Sequence, residues 1–139
     1  MWRNSWPPSI GLRRAEAGDV VAEPPSLDRA AWEELVRTTG GDKDFLTDLV
    51  QTFFDDTPKE LTAMHQSLEH NRAEEFRRSA HSLKSNSATF GALRLSGMFR
   101  EMEEIGKQGR LQGAEERLAQ AEEEYRRVRP LIEAERARM

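Results

Sequence analysis

From Ser26 to the end of the chain, apolar residues recur at intervals of three and four positions, and no run of useful length alternates between apolar and polar residues. This period is that of an α-helix with one buried face. Short interruptions separate the periodic stretches at Thr38–Gly41, Glu69–Arg72 and Gly106–Gly109. The pattern therefore predicts an all-α fold, an antiparallel four-helix bundle with an additional short helix ahead of it.

The chain divides into three stretches. Residues 1–25 hold four of the six prolines and lack a sustained helical period, so they are predicted to form a flexible arm or a linker. Residues 26–129 should form the bundle, in which Asp42 opens one long helix that is kinked at its internal proline. Because Pro130 interrupts the last helix, residues 130–139 are predicted to be a frayed tail.

Charge and residue usage exclude several classes of function. The 21 basic and 25 acidic residues give a net charge of -4, which does not favour a nucleic-acid-binding surface. The chain has no cysteine, so it has neither a disulfide framework nor a thiolate metal site. It also lacks an apolar run long enough for a secretory signal or a membrane span. We therefore expect a cytoplasmic protein that binds neither nucleic acid nor membranes.

One histidine stands among small and basic residues, in the stretch SAHSLKSNSATFGA from Ser79 to Ala92. Helical rotation places five residues on one stripe that is predicted to be buried: Phe76, Ala80, Leu83, Ser87 and Phe90. His81 lies about 140° from the start of that stripe, so its ring is predicted to face solvent. Its side of the helix also carries Arg77, Lys84, Ser85 and Ala88, with Arg78 on the far flank.

This environment suits a histidine that accepts a phosphoryl group. An exposed imidazole is largely neutral at cellular pH, so a ring nitrogen is available as a nucleophile. The incoming group brings close to two negative charges, which Lys84 and Arg77 can offset. Because Ser85 and Ala88 are small, a second protein can bring its phosphoryl donor close to the ring.

These residues resemble the motif of histidine phosphotransfer (HPt) domains, which here reads Ala80, His81, Leu83, Lys84, Ser85, Asn86, Ser87, Gly91 and Ala92. The segment Phe99–Gly109 is similar to the family's LE..G..G pattern, and the resemblance covers about residues 27–128. Ser85 stands where the family usually has glycine. The resemblance implies that His81 is phosphorylated, that Lys84 supports it electrostatically, and that Arg77, Arg78, Ser85 and Ala88 are candidate partner contacts.

The same resemblance implies a phosphotransfer carrier without autonomous kinase activity. Its candidate partners would be a hybrid sensor kinase and the aspartates of response-regulator receiver domains, and the receiver would supply Mg²⁺. The sequence has no glycine-rich phosphate loop, so we expect no ATP site and no intrinsic cofactor or metal. We also expect a monomer, with an apolar docking surface around His81 formed by the second, third and fourth helices.

Two residues of the motif have a structural interpretation. The hydroxyl of Ser87, on the inward stripe, is expected to bond back to a carbonyl one turn earlier. Gly91 is expected to let the chain turn from the third helix into the fourth.

Three alternatives stay open. A docking module with this fold would bind receivers without carrying phosphate, and Ser85 would then be a first sign of lost function. A di-iron bundle needs Glu-x-x-His pairs, which do not occur at His65, His70 or His81, and the first two are predicted to be solvated surface residues. The phosphoacceptor region of a sensor kinase normally has an acidic residue after its histidine, where this chain has Ser82.

Overall fold

The computed structural model describes residues 25–139, which form helices and turns only. The helices are α1 (Arg29–Thr38), α2 (Lys43–Glu69), α3 (Ala73–Thr89), α4 (Leu93–Gln108) and α5 (Ala114–Ala137). Short turns join the four long helices, α2 and α4 each contact both α3 and α5, and α1 packs on α3. The predicted all-α bundle with an extra short helix is confirmed. The arm predicted for residues 1–25 lies outside the described residues apart from its last position.

Two aspartates determine where the first helices begin. The carboxylate of Asp28 accepts a hydrogen bond from the backbone N–H of Ala31 at 3.1 Å, and that of Asp42 accepts one from Phe45 at 3.1 Å. Each satisfies a backbone donor that the first helical turn leaves without a partner. Beyond Asp42, α2 continues through Pro58 as one helix, as predicted, because apolar residues on both sides of the proline are buried.

Gly91 ends α3 and joins it to the start of α1. Its φ is +87°, and a Cβ added there would lie 2.8 Å from the carbonyl oxygen of Asp28. The carbonyl of Gly91 accepts a hydrogen bond from the backbone N–H of Asp28 at 2.7 Å. Only glycine suits both the left-handed conformation and this close approach, so the predicted turn at Gly91 is confirmed.

The core runs between the four long helices. Its largest fully buried side chains come from all of them and include Phe76, Phe99, Leu46, Met64, Leu83 and Leu118. Phe53 of α2 stacks on Phe90 with ring centroids 4.7 Å apart, and it meets Tyr125 of α5 edge-on at 6.0 Å. The apolar residues thus form inward stripes, and no helix in residues 25–139 is long and apolar enough to cross a membrane.

The end of α5 differs from the prediction. The helix does not fray at Pro130 but continues through it to Ala137. Ile132, two residues beyond the proline, is completely buried, and Glu135 pairs with Arg29 of α1 at 3.7 Å. Packing against the rest of the bundle therefore outweighs the backbone hydrogen bond that proline removes. The predicted boundary at residues 129 and 130 was wrong.

Candidate functional site

His81 lies in the middle of α3 and faces outward. The five residues of the predicted inward stripe are all buried, whereas the His81 side chain is 56% exposed. The prediction of a solvent-facing ring is therefore confirmed. Its position follows from the helical period, because the apolar stripe fixes the rotation of α3 and leaves residue 81 on the opposite side.

A buried carboxylate on the neighbouring helix holds the ring. Glu103 of α4 has a side chain only 6% exposed, and its Oε2 lies 2.8 Å from Nδ1 of His81. Its other oxygen, Oε1, accepts a hydrogen bond from Nζ of Lys84 at 2.7 Å. One carboxylate thus joins the two predicted central residues, which are three positions apart on α3.

The charge state of Glu103 determines which nitrogen of His81 carries the hydrogen. The hydrogen bond from Lys84 is the main cause that lowers the pKa of Glu103, burial opposes it, and the bond to His81 lowers it further. An ionised carboxylate can only accept, so Nδ1 of His81 carries the hydrogen and donates it. The lone pair is then on Nε2, which has no hydrogen-bond partner among residues 25–139.

A second cation stands one turn before the histidine. Arg77 donates two hydrogen bonds to Glu74, from Nε at 2.9 Å and from Nη2 at 2.5 Å. Its Nη1 also lies 4.0 Å from Oε2 of Glu103. The contact with Glu74 is the main cause that raises the pKa of Arg77 and lowers that of Glu74. Arg77 and Lys84 therefore flank His81 on the side that faces α4.

The remaining predicted contacts lie away from this network. Ser85 and Ala88 are exposed on α3 beyond His81, on the same side of the helix. Arg78 is also exposed, but it lines a polar cleft between α2 and α3, on the other flank. Large exposed apolar side chains in the described residues include Phe45 on α2 and Leu93 on α4, two of the helices predicted to form the docking surface.

Ser87 is buried on the inward stripe, as predicted, but its hydroxyl makes no hydrogen bond. The expected bond to a carbonyl one turn earlier is therefore wrong. In contrast, Ser96 of α4 donates from its hydroxyl to the backbone carbonyl of Lys84 at 2.8 Å and links the two helices beside the site.

Glu103 is the residue of the candidate site that sequence reasoning missed. It lies within the Phe99–Gly109 segment, at the acidic position of the LE..G..G pattern. It also falls on the buried face of α4 with Phe99 and Met102. A lone acid on an apolar stripe needs a buried partner, and that was the signal available in the sequence.

The other two histidines have ordinary surface contacts, and both are exposed as predicted. Nε2 of His65 lies 3.0 Å from Glu122 of α5, and Nδ1 of His70 lies 2.9 Å from the carbonyl oxygen of Gln66. Across residues 25–139, no three His, Cys, Asp or Glu side chains form a group that could hold a metal ion.

Comparisons with known proteins match the chain to a protein family. The family model described as Hpt domain matches residues 48–131, more than half of the chain and a span that includes His81, Lys84 and Glu103. No curated protein sequence matches the chain significantly.

Two solved structures are similar to this one. The crystal structure of histidine-containing phosphotransfer protein B (HptB) from Pseudomonas aeruginosa PAO1 is 33% identical in sequence, with a TM-score of 0.75, and the match covers 84% of this chain and 99% of that chain. The HPT domain of an Hpt sensor hybrid histidine kinase from Shewanella matches at 13% identity with a TM-score of 0.62, covering 82% of this chain and 96% of that one, which supports the fold. With the family model and the HptB likeness together, the chain belongs to the Hpt-domain family and has a phosphotransfer role in two-component signalling.

Proposed function

We propose that the chain is a phosphorelay carrier that accepts a phosphoryl group on Nε2 of His81 from an aspartyl phosphate of a receiver domain and passes it to an aspartate of another. The observation that carries this proposal is the hydrogen bond between Nδ1 of His81 and the buried Glu103 carboxylate, at 2.8 Å. It keeps the hydrogen on Nδ1 and presents the Nε2 lone pair to solvent.

The transfer step is a displacement at phosphorus. The Nε2 lone pair forms the new bond, while the bond from phosphorus to the aspartyl oxygen breaks and its electron pair stays on the receiver's carboxylate. Because Nδ1 keeps its hydrogen, the phosphorylated ring becomes a cation, and the carboxylate of Glu103 lies next to the developing charge. Transfer to the second aspartate reverses the step and returns a neutral ring.

Lys84 and Arg77 support the phosphoryl group rather than the ring. Each lies about one turn from His81, and each side chain is roughly a quarter exposed, so its charge remains close to the arriving phosphate oxygens. Lys84 also keeps Glu103 ionised, which connects the phosphate side of the site to the ring nitrogen that donates. Arg77 reaches the phosphate only by loosening its contact with Glu74.

The partner completes the site. The sequence has no glycine-rich phosphate loop, so the phosphoryl group comes from a receiver rather than from ATP, and the receiver supplies Mg²⁺. The small exposed side chains of Ser85 and Ala88 leave room for a receiver over Nε2. The chain acts here as a monomer. The hydroxyl of Ser85, where the family usually has glycine, lies at the edge of this contact.

The test is labelling from a receiver charged with radioactive acetyl phosphate. Wild-type protein should acquire acid-labile label, and His81→Gln should acquire none. His65→Gln is the matched control, because it removes another exposed histidine that is paired with a glutamate, and it should label like wild type. Lys84→Gln should label more slowly.

Two outcomes would contradict the proposal. Equal labelling of wild type and His81→Gln would show that another residue accepts the group. Receiver binding without any label on wild type would favour the docking module that carries no phosphate.

A further inference from the structure

We propose that Gly106 is a positioning residue for the phosphotransfer reaction, because the lack of a side chain there lets α4 approach α3 closely enough for Glu103 to hold His81. This inference rests on the proposed role of His81. It concerns a residue of the helix behind the site, which touches neither the reactive nitrogen nor the phosphoryl group.

The contact at Gly106 is the closest helix approach found at any glycine inside a described helix. A Cβ added to Gly106 would lie 2.8 Å from Cβ, 2.9 Å from Cα and 3.0 Å from the backbone nitrogen of Arg77, whereas ordinary contacts begin at 3.4 Å. These are atoms of the α3 backbone and its first side-chain carbon, so no flexible group can move aside. Any larger residue at position 106 must push the two helices apart.

Gly106 stands beside the hydrogen-bond network. It lies one turn after Glu103 on α4, and its neighbour Arg77 lies one turn before His81 on α3. On the other side, the Ser96 hydroxyl donates to the carbonyl of Lys84 at 2.8 Å. The two helices are therefore held together on both sides of the contact between Glu103 and His81.

The carboxylate of Glu103 cannot easily reach back to His81 once α4 has moved away from α3. Its side chain is buried, and Oε1 is already bound to Lys84 at 2.7 Å. Moving α4 outward lengthens the bond from Oε2 to Nδ1 of His81, which is 2.8 Å in the native spacing. Without that bond, the hydrogen of the neutral ring is free to move to Nε2, where it blocks attack on phosphorus.

The experiment compares two identical substitutions on the same helix. A Cβ at Gly97 meets nothing within 4 Å, so Gly97→Ala changes the helix propensity of α4 without changing its distance from α3. In ¹⁵N spectra of the His81 ring, wild type and Gly97→Ala should show a protonated Nδ1 and an unprotonated Nε2. Gly106→Ala should lose this signature and transfer phosphoryl groups at least about tenfold more slowly, as a small misplacement of reacting groups does.

A double substitution tests whether Gly106 acts through Glu103. Adding Gly106→Ala to Glu103→Gln should slow transfer by less than about twofold relative to Glu103→Gln alone, because the two changes remove the same contact. If Gly106→Ala does not fold, the double variant Arg77→Gly with Gly106→Ala replaces it, because removing the Cβ of Arg77 removes the closest contact. The same spectra then compare this double variant with Arg77→Gly alone. The signature of a protonated Nδ1 should be weaker in the double variant.

Two results would overturn the inference. One is folded Gly106→Ala that keeps both the Nδ1 signature and the wild-type rate. The other is a further slowing in the Glu103→Gln background that equals the slowing in wild type. Because the spectra need no phosphoryl donor, they test the role of Gly106 even if wild type accepts no label and the proposed function fails.

Discussion

The carboxylate of Glu103 makes two hydrogen bonds with different consequences. The bond from Lys84 keeps Glu103 ionised despite its burial, and the bond from His81 uses that charge to fix the hydrogen on Nδ1. A neutral amide in the same place could still accept one hydrogen bond but would bring no negative charge to the ring. The position of the ring hydrogen on an exposed histidine is thus set by a residue that is itself almost inaccessible.

Glu103→Gln tests this dependence with little change of shape. Transfer to and from His81 should slow by about 10- to 100-fold, the size of effect seen when a carboxylate that orients a metal-bound histidine is removed. The rate is measured by single-turnover labelling from a charged receiver, with circular dichroism as a check on folding. Glu122→Gln is the matched control, because Glu122 pairs with His65 at 3.0 Å on the surface, and it should keep the wild-type rate. An unchanged rate in Glu103→Gln would contradict the role given to its charge.

How much of the site the sequence could predict depends on how far apart its parts lie in the chain. His81, Lys84 and Arg77 share one helix, so the period alone placed them on one side. Glu103 reaches them from 22 positions beyond His81, across an interface whose spacing is set at Gly106. A pattern within one helix cannot give the distance to the next. The contact of Arg77 with Glu74, by contrast, is a neighbouring pair on α3 that sequence alone could have suggested.

Two buried serines, one on α3 and one on α4, have opposite roles. Ser96 donates to the carbonyl of Lys84 at 2.8 Å, whereas the hydroxyl of Ser87 has no hydrogen-bond partner. A hydrogen bond of this kind stabilises a protein by about 1 kcal/mol, and a buried polar group without a partner costs stability. The same substitution should therefore have different effects at the two positions.

Ser96→Ala should lower the free energy of unfolding by about 1 kcal/mol, while Ser87→Ala should leave it unchanged or raise it. Urea denaturation followed by circular dichroism measures both values. A loss of the same size in both variants would mean that the Ser87 hydroxyl does find a partner in solution.

The last two turns of α5 provide a second comparison, between a buried residue and its exposed neighbour. Ile132 is completely buried although it follows a proline, and Leu131 beside it is 41% exposed. Ile132→Ala should destabilise the protein by about 2–5 kcal/mol, whereas Leu131→Ala should cost less than about 1 kcal/mol. Thermal unfolding measures the stability of both variants. Equally small losses of stability would mean that residues 130–139 form the frayed tail that the sequence predicted.

The helices themselves were largely predictable. The helical period shows where a helix runs, and a capping or turn residue such as Asp28, Asp42 or Gly91 marks where it begins or ends. Helix ends of this kind could therefore be located from the sequence. The end of α5 could not, because it depends on burial of Ile132 rather than on local preference. The complete burial of Glu124 could not be predicted either, because it is an acid within a charge-rich helix. Its carboxylate accepts a hydrogen bond from Arg127 at 3.0 Å.

Across the whole molecule, two glutamates of α4 should give opposite contributions to stability in acid. The pKa of Glu103 is lowered, so its stabilisation is complete above the unfolded value of about 4.5 and is lost as the pH falls through the lower folded value. The pKa of Glu101 is raised by burial, against the effect of Arg117. Its ionised form therefore costs stability near neutral pH, and that cost is relieved as the pH falls.

Melting temperatures at about pH 6 and about pH 4 test these signs. Glu103→Gln should reduce the loss of stability between the two values relative to wild type, and Glu101→Gln should increase it. A steeper loss in Glu103→Gln would mean that its carboxylate is not held in the ionised form.

The contact between Asp28 and Gly91 also fixes where the preceding chain is attached to the bundle. Gly91 lies ten positions beyond His81, which along a helix axis corresponds to about 15 Å, against about 40 Å for the whole of α2. A receiver held close to residue 25 would thus start its search near His81, and linkage through a short flexible segment would give it an effective concentration in the millimolar range. Such a partner would need little affinity of its own, whereas a separately encoded receiver would have to supply all of it by docking.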